Sequence, residues 1–272
     1  MTRIPKPRRP IVANTGPGRT GFAVTRRALL VAGCALFLPA CAEQPADRPR
    51  RSAPTPTPSP TPSPTPSPTP TPTGPLLQPQ YQLTPVTPKT IALTLDDGPD
   101  GRWTPQVLQI LRQHKIKATF FMLGIQAAGH PDLVRAVAAD GHQIATHTWS
   151  HQNLAKLAPA AVRAQIERGL DAVTKAAGGE EPSLFRAPYG AWSPSVLAAC
   201  QALGQRPLGW SVDPRDWDRP GAGSIVHRVL SRTGSGSIIL NHDGGGDRSQ
   251  TVSALRTVLP KLLAGGYHFA AL

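Results

Sequence analysis

From Thr90 onward, short apolar runs alternate with stretches whose apolar residues recur every three or four positions. The runs Ile91–Leu95, Ala118–Leu123, Gln143–His147, Ser183–Ala187, Leu208–Asp213, Ser237–His242 and Tyr267–Leu272 predict strands. Between them Thr104–Lys115, Pro131–Asp140, Pro159–Ala177, Ser193–Leu203, Gly223–Ser231 and Gln250–Ala264 predict helices. The third helix shows the period: Val162, Ile166, Leu170 and Val173 fall on one face. Pro105, Pro131, Pro159 and Pro194 stand at helix starts, where the missing N–H has no helical partner to lose. Gly141, Gly178, Gly204 and Gly265 stand where helices stop. Pro260 lies inside the last helical stretch and is expected to kink or end it.

Alternating strands and helices predict a parallel α/β sheet covered by helices. A closed or nearly closed barrel suits the pattern, and so does a doubly wound sheet. In either architecture the ligand site forms at the C-terminal ends of the strands.

The first 87 residues follow another logic. A basic stretch ends in Thr25-Arg26-Arg27, and an apolar run from Ala28 to Leu38 follows. That run has the length of an export-signal core and is too short to span a bilayer. The arginine pair suggests the twin-arginine route. Leu38-Pro39-Ala40-Cys41 resembles a bacterial lipobox, which makes Cys41 the expected acylation site and lipid anchor. From Pro54 to Pro72 proline alternates with Thr or Ser. Such a tract forms neither helix nor ladder and predicts an extended stalk, on the order of 60 Å at about 3.1 Å per residue. The expected organisation is an export segment over 1–41, a disordered Pro-rich linker over 42–87 and one folded domain over 88–272. The expected location is outside the membrane, either anchored or secreted.

Charge narrows the function classes. The net charge is +13, but residues 1–40 alone carry seven Lys/Arg and no acid. Residues 88–272 carry 19 bases and 14 acids, scattered without a basic block among aromatics. That distribution argues against nucleic-acid binding. Three cysteines, two of them before residue 42, exclude a disulfide scaffold.

The polar residues collect at strand ends. The first strand runs into Asp96-Asp97-Gly98-Pro99 and the third into His147-Thr148-Trp149-Ser150-His151. The fourth leads into Arg186-Ala187-Pro188-Tyr189, the fifth into Asp213-Pro214-Arg215-Asp216-Trp217, and the sixth into Asn241-His242-Asp243. Two His spaced i, i+4 share one side of a turn, and two His plus a carboxylate is a recurrent catalytic zinc set. Asp97 or Asp96 supplies the carboxylate. Asp-Asp-Gly-Pro alone also suits an ordinary turn, and it is the His pair that makes it a ligand candidate. A bound divalent ion relieves the repulsion between the two carboxylates, and the one left over is placed to accept a proton from an attacking water.

Taken in order, Thr94–Pro99, His147–His151, Arg186–Tyr189, Asp213–Trp217 and Leu240–His242 resemble the five motifs of polysaccharide deacetylases with a NodB-type domain, carbohydrate esterase family 4. The resemblance implies a distorted (β/α) barrel with about seven parallel strands. It implies a hydrolase that removes N-acetyl or O-acetyl groups from sugars with a divalent metal, zinc or an ion such as cobalt. It assigns Asp97, His147 and His151 to the metal, Asp96 as general base and Arg186 to orient Asp96. The Tyr189 backbone N–H would help hold the oxyanion. His242 would be the general acid, tuned by Asp216, and Trp217 and Leu240 would line the acetyl slot.

With an export segment and a stalk, the expected partner is an acetylated wall polysaccharide, N-acetylglucosamine of peptidoglycan first. Chitin-type oligosaccharides and acetylxylan are the alternatives. A phosphatase with an Asp nucleophile leaves the His pair unexplained. A non-catalytic carbohydrate-binding wall protein calls for aromatic platforms, and aromatics are 5% of this chain. His114, His130, His142, His227 and His268 fall away from the strand ends, and Cys200 reads as packing.

Overall fold

Residues 75–84 and 87–272 are described by the computed structural model. The elements in order are β1 (Thr90–Asp96), α1 (Thr104–His114), β2 (Thr119–Met122), α2 (Gly124–Gly129), α3 (Pro131–Ala139), β3 (Gln143–Thr146), α4 (Pro159–Ala176), β4 (Leu184–Phe185), α5 (Pro194–Ala202), β5 (Arg206–Pro207), α6 (Ala222–Arg232), β6 (Ile238–His242), α7 (Ser249–Ala264) and β7 (His268–Phe269). The export segment, Cys41 and the Pro54–Pro72 tract lie outside the described residues. Among the described residues no helix is long and apolar enough to cross a membrane.

The strands form one seven-stranded sheet in the order β5-β4-β3-β2-β1-β6, with β7 beside the first two residues of β1. Every ladder is parallel. The two-residue side-chain period sorts the core into two layers. Leu93, Leu95, Phe120 and Ile239 turn outward against α1, α3 and α7 in the larger cluster. Phe121, Ala145, Leu184 and Ile238 turn inward, into the hollow of the sheet. A third cluster under α4 and α5 includes Leu154, Ile166, Phe185 and Cys200.

Prolines open α1, α3, α4 and α5 as expected. Gly141, Gly178 and Gly204 follow helix ends with positive φ. At the end of α7 the positive φ falls on Gly266, not Gly265.

Several expectations need correction. Leu208–Asp213 is not a regular strand: β5 is Arg206–Pro207, and the following stretch pairs through isolated bridges, Val212 to Ile239 and Gln80 to Leu208. The reason is that Leu208 and Gly209 turn their carbonyls to a side chain, Arg186. β4 is only Leu184–Phe185, and β7 only His268–Phe269. Gly124–Gly129 forms a short helix that its composition does not announce. Pro260 does not end α7, which continues to Ala264 because Leu259 and Leu262 are buried on either side of it. The expected linker reaches too far: Gln80 N–H donates to Pro207 O and Leu83 N–H to Gly236 O. Residues Gln80–Leu83 therefore bridge the two outer strands, β5 and β6, and belong to the folded domain.

Candidate active site

β1 and β6 are neighbours, and their register places Asp96 beside His242 and Thr94 beside Leu240. All four share the inner face of the sheet, two residues apart on each strand. Asp96 is the last residue of β1 and His242 the last of β6, so both stand at the C-terminal rim. His147 follows β3 directly and Arg186 follows β4 directly. The turn from Thr148 carries His151 back over the same rim.

These loops hold unusual backbone. Asp97, Thr148, His151, Tyr189 and Arg215 all have positive φ. Such conformations cost roughly 1–3 kcal/mol each in non-glycine residues and cluster where function demands a particular side-chain direction.

Arg186 is fully buried. One terminal nitrogen donates to Asp96 Oδ1 at 2.7 Å and to Thr94 Oγ1 at 2.8 Å. The other donates to Gly209 O at 2.8 Å. The guanidinium lies 4.0 Å above the Phe121 ring centre. A planar fork held at each of its three nitrogens suits this place, and an ammonium does not. Burial pushes the Asp96 carboxyl above its ordinary range, while Arg186 and His242 pull it back. Arg186 takes Oδ1 and leaves Oδ2 to the cavity.

His242 is held by Asp216. Its Nδ1 donates to Asp216 Oδ1 at 2.7 Å and its backbone N–H to Asp216 Oδ2 at 2.9 Å. Thr251, in the first turn of α7, donates to Oδ2 at 2.9 Å. Burial draws His242 down, but Asp216, with Asp97 and Asp96 behind it, outweighs burial and pushes it up to about 9. Burial alone would raise Asp216; His242 and Thr251 hold it below its ordinary value.

Asp97, His147 and His151 offer ligand atoms within 4.8 Å of one another. Asp97 Oδ1 lies 3.7 Å from His147 Nε2 and 3.4 Å from His151 Nε2. These gaps are too long for hydrogen bonds. They match two ligands of one tetrahedral ion, which at bonds of about 2.0–2.1 Å stand roughly 3.3–3.5 Å apart. Asp97 Oδ1 is buried and has no hydrogen-bond partner among the described residues. His147 Nδ1 donates to Arg186 O at 2.8 Å, so its free electron pair sits on Nε2, toward Asp97. Burial lowers His147 to about 3, which keeps it neutral and able to ligate. The donor set fits a divalent ion.

These groups share a cavity of about 350 Å³ with Tyr189, Trp210, Asp213, Trp217 and Leu240. Tyr189 is 66% exposed and sets its ring edge-on to His151, 4.6 Å between centres. Trp217 is 45% exposed at the mouth, and Leu240 is buried at the floor.

All eleven site residues expected from the sequence except Cys41, which lies outside the described residues, therefore meet in one place. Sequence reasoning missed Trp210 and placed Asp243 at the sixth strand end without giving it a role. Trp210 packs over Gly190, and its place three residues before Asp213 was the available signal. Asp243 is buried behind the rim, where Thr104 Oγ1 donates to its Oδ2 at 2.6 Å. Cys200 is buried and its thiol pushed up to about 12, consistent with packing alone.

A parallel α/β fold with Asp, His and Arg on one rim defines a hydrolase of the polysaccharide deacetylase class. The chain belongs to that family, carbohydrate esterase family 4. The family description "Polysaccharide deacetylase" matches residues 84–208. The chain is 44% identical over 187 residues to a peptidoglycan-N-acetylglucosamine deacetylase of Bacillus cereus, covering 68% of this chain and 87% of that one. It is 41% identical over 195 residues to a chitooligosaccharide deacetylase of Rhizobium leguminosarum bv. trifolii, covering 68% and 90%. A crystal structure of a peptidoglycan N-acetylglucosamine deacetylase superposes with a TM-score of 0.67 at 37% identity, covering 71% of this chain and 90% of that chain.

Proposed function

We propose that this enzyme removes N-acetyl groups from N-acetylglucosamine in peptidoglycan, outside the membrane, with zinc at Asp97, His147 and His151. The observation that carries the reading is the pairing of a buried Asp97 Oδ1, without a hydrogen-bond partner among the described residues, with two imidazole Nε2 atoms, beside a separate base and acid.

A divalent ion held by Asp97, His147 and His151 would supply Lewis-acid chemistry to the acetyl carbonyl and to the attacking water. Asp96 Oδ2 takes the proton from that water, with Oδ1 fixed by Arg186 so that the free oxygen keeps its direction. The Tyr189 backbone N–H donates to the oxygen that gains charge, an interaction worth about 2.7–4 kcal/mol at comparable sites. His242 Nε2 carries the proton for the leaving nitrogen, and Asp216 keeps that proton in place near neutral pH. The C–N bond breaks and acetate and the free amine leave. Leu240 at the floor and Trp217 at the mouth shape the acetyl slot.

The export-like N-terminus, the lipobox ending in Cys41 and the Pro/Thr/Ser tract support a wall substrate. Relatives that deacetylate chitooligosaccharides favour a second reading, in which short N-acetylglucosamine oligomers are the substrate. Acetate release from purified peptidoglycan, chitooligosaccharides and acetylxylan separates these readings. Peptidoglycan is expected to release acetate fastest. Polymer binding without acetate release from any of them contradicts the catalytic reading.

A further inference from the structure

Beyond the five motifs, the segment Asp243-Gly244-Gly245-Gly246-Asp247-Arg248 is unused by the chemistry above. It wraps the back of the metal-site loop. A Cβ on Gly244 would overlap the carbonyl of Asp97 and lie 2.7 Å from Gly98 N. A Cβ on Gly245 would lie 2.6 Å from Asp97 Oδ2 and 3.1 Å from Asp97 Cγ. Gly245 has φ +71°, and Gly246 has φ +136°. Only glycine lets backbone approach the Asp97 carboxylate this closely in that conformation. Asp97 itself has φ 73°, so its backbone is a strained one that surrounding contacts must hold.

What fixes the glycine segment is Arg248. This side chain is 4% exposed. Its Nε donates to Gly244 O at 2.6 Å, and a terminal nitrogen donates to Gly245 O at 2.9 Å. Arg248 also stands immediately before α7, whose first turn carries Thr251 to Asp216. One helix start thus braces both sides of the site.

We infer that Arg248 is a positioning residue for the metal: by pinning the carbonyls of Gly244 and Gly245 it presses the glycine segment against Asp97 and aims that carboxylate between His147 and His151. The inference rests on the proposed metal reading and adds to it a residue that touches neither ion nor substrate. Residues that orient a metal ligand typically change affinity by about 10–100-fold when lost.

The test uses the full chain stripped of metal and measures zinc affinity by competition with a chelating dye, alongside the melting temperature without metal. Arg248→Met is expected to bind one zinc about 10–100-fold more weakly than wild type, with activity returning at raised zinc. Gly245→Ala, which presses a methyl on Asp97 without touching Arg248, is expected to weaken zinc binding in the same way. Should Arg248→Met not fold, Arg248→Lys carries the test: its point charge reaches one carbonyl at a time, so zinc affinity is expected to fall, toward the low end of the about 10–100-fold range. Wild-type zinc affinity in a folded Arg248 variant overturns the inference, even if its melting temperature falls. A wild-type chain that binds no divalent ion overturns the metal reading instead.

Discussion

Asp216 grips His242 twice, Oδ1 accepting from the ring Nδ1 at 2.7 Å and Oδ2 from the backbone N–H at 2.9 Å. One carboxylate therefore sets the tautomer, the orientation and the charge of the imidazole. Burial works against the proton on His242, and Asp216 more than offsets it, leaving the ring raised to about 9. Asp216→Asn keeps the burial and removes the largest influence holding the proton, so His242 falls from its raised value. The basic limb of the kcat/KM profile should move to lower pH, and kcat at pH 8 should drop by about 10²-fold or more. Both proteins are compared at the same metal loading, so the difference between the two profiles is the readout. An unmoved basic limb contradicts the acid assignment.

Arg186 and Asp96 are a buried ion pair at 2.7 Å. Removing one partner of such a pair leaves an uncompensated charge and costs about 3–5 kcal/mol. Arg186→Met should show that loss in denaturant unfolding, together with lost acetate release. Arg186→Lys restores the charge but not the fork that also serves Thr94, Leu208 and Gly209, so it should recover only part of the stability.

Asp243 gives a stability effect with a defined sign. Burial raises its carboxyl to about 7 from 3.8. The folded chain then holds a proton that the unfolded chain has released, so stability is lost as pH rises from about 4 toward 7. Asp243→Asn removes that loss while still accepting from Thr104. The metal-free variant should melt higher than wild type at pH 8, with the advantage gone near pH 4. Equal melting temperatures at pH 8 contradict the burial argument.

Trp217 stands half-exposed at the mouth with Arg215 4.9 Å from its ring centre. Stacked aromatic pairs gain about 0.5–1.5 kcal/mol beyond their area burial, and a sugar face on the Trp217 ring is taken on that scale, about 2–13-fold in binding. Trp217→Ala should raise KM for an oligosaccharide by that factor with kcat little changed. A fall in kcat at constant KM places Trp217 in the chemistry instead.

The β/α alternation and the rim chemistry were legible because each rests on local rules: period two in β1 and β6, period 3.6 in α4, proline at helix starts, polar residues just past strands. What escaped was set by distant partners. Leu208 and Gly209 look like strand residues, yet their carbonyls serve Arg186, which lies on another loop. Gln80–Leu83 follows a proline tract and shows no period, and it pairs only because β5 and β6 leave a gap between them. Pro260 costs a helical hydrogen bond, about 3 kcal/mol, but the burial of Leu259 and Leu262 outweighs it. The order of the five motifs pointed to one site; which oxygen of Asp96 stays free was visible only with Arg186 in place.

In the proposed reaction Asp97, His147 and His151 hold one divalent ion on which acetate release depends. Titrating zinc into the metal-stripped full chain while following acetate release from N-acetylglucosamine polymer tests it directly. No release is expected before addition, full recovery near one equivalent, and no recovery at that level for Asp97→Asn, while Asp96→Asn binds the ion yet stays inactive. Acetate release that persists without metal, or a fully active Asp97→Asn, would contradict it.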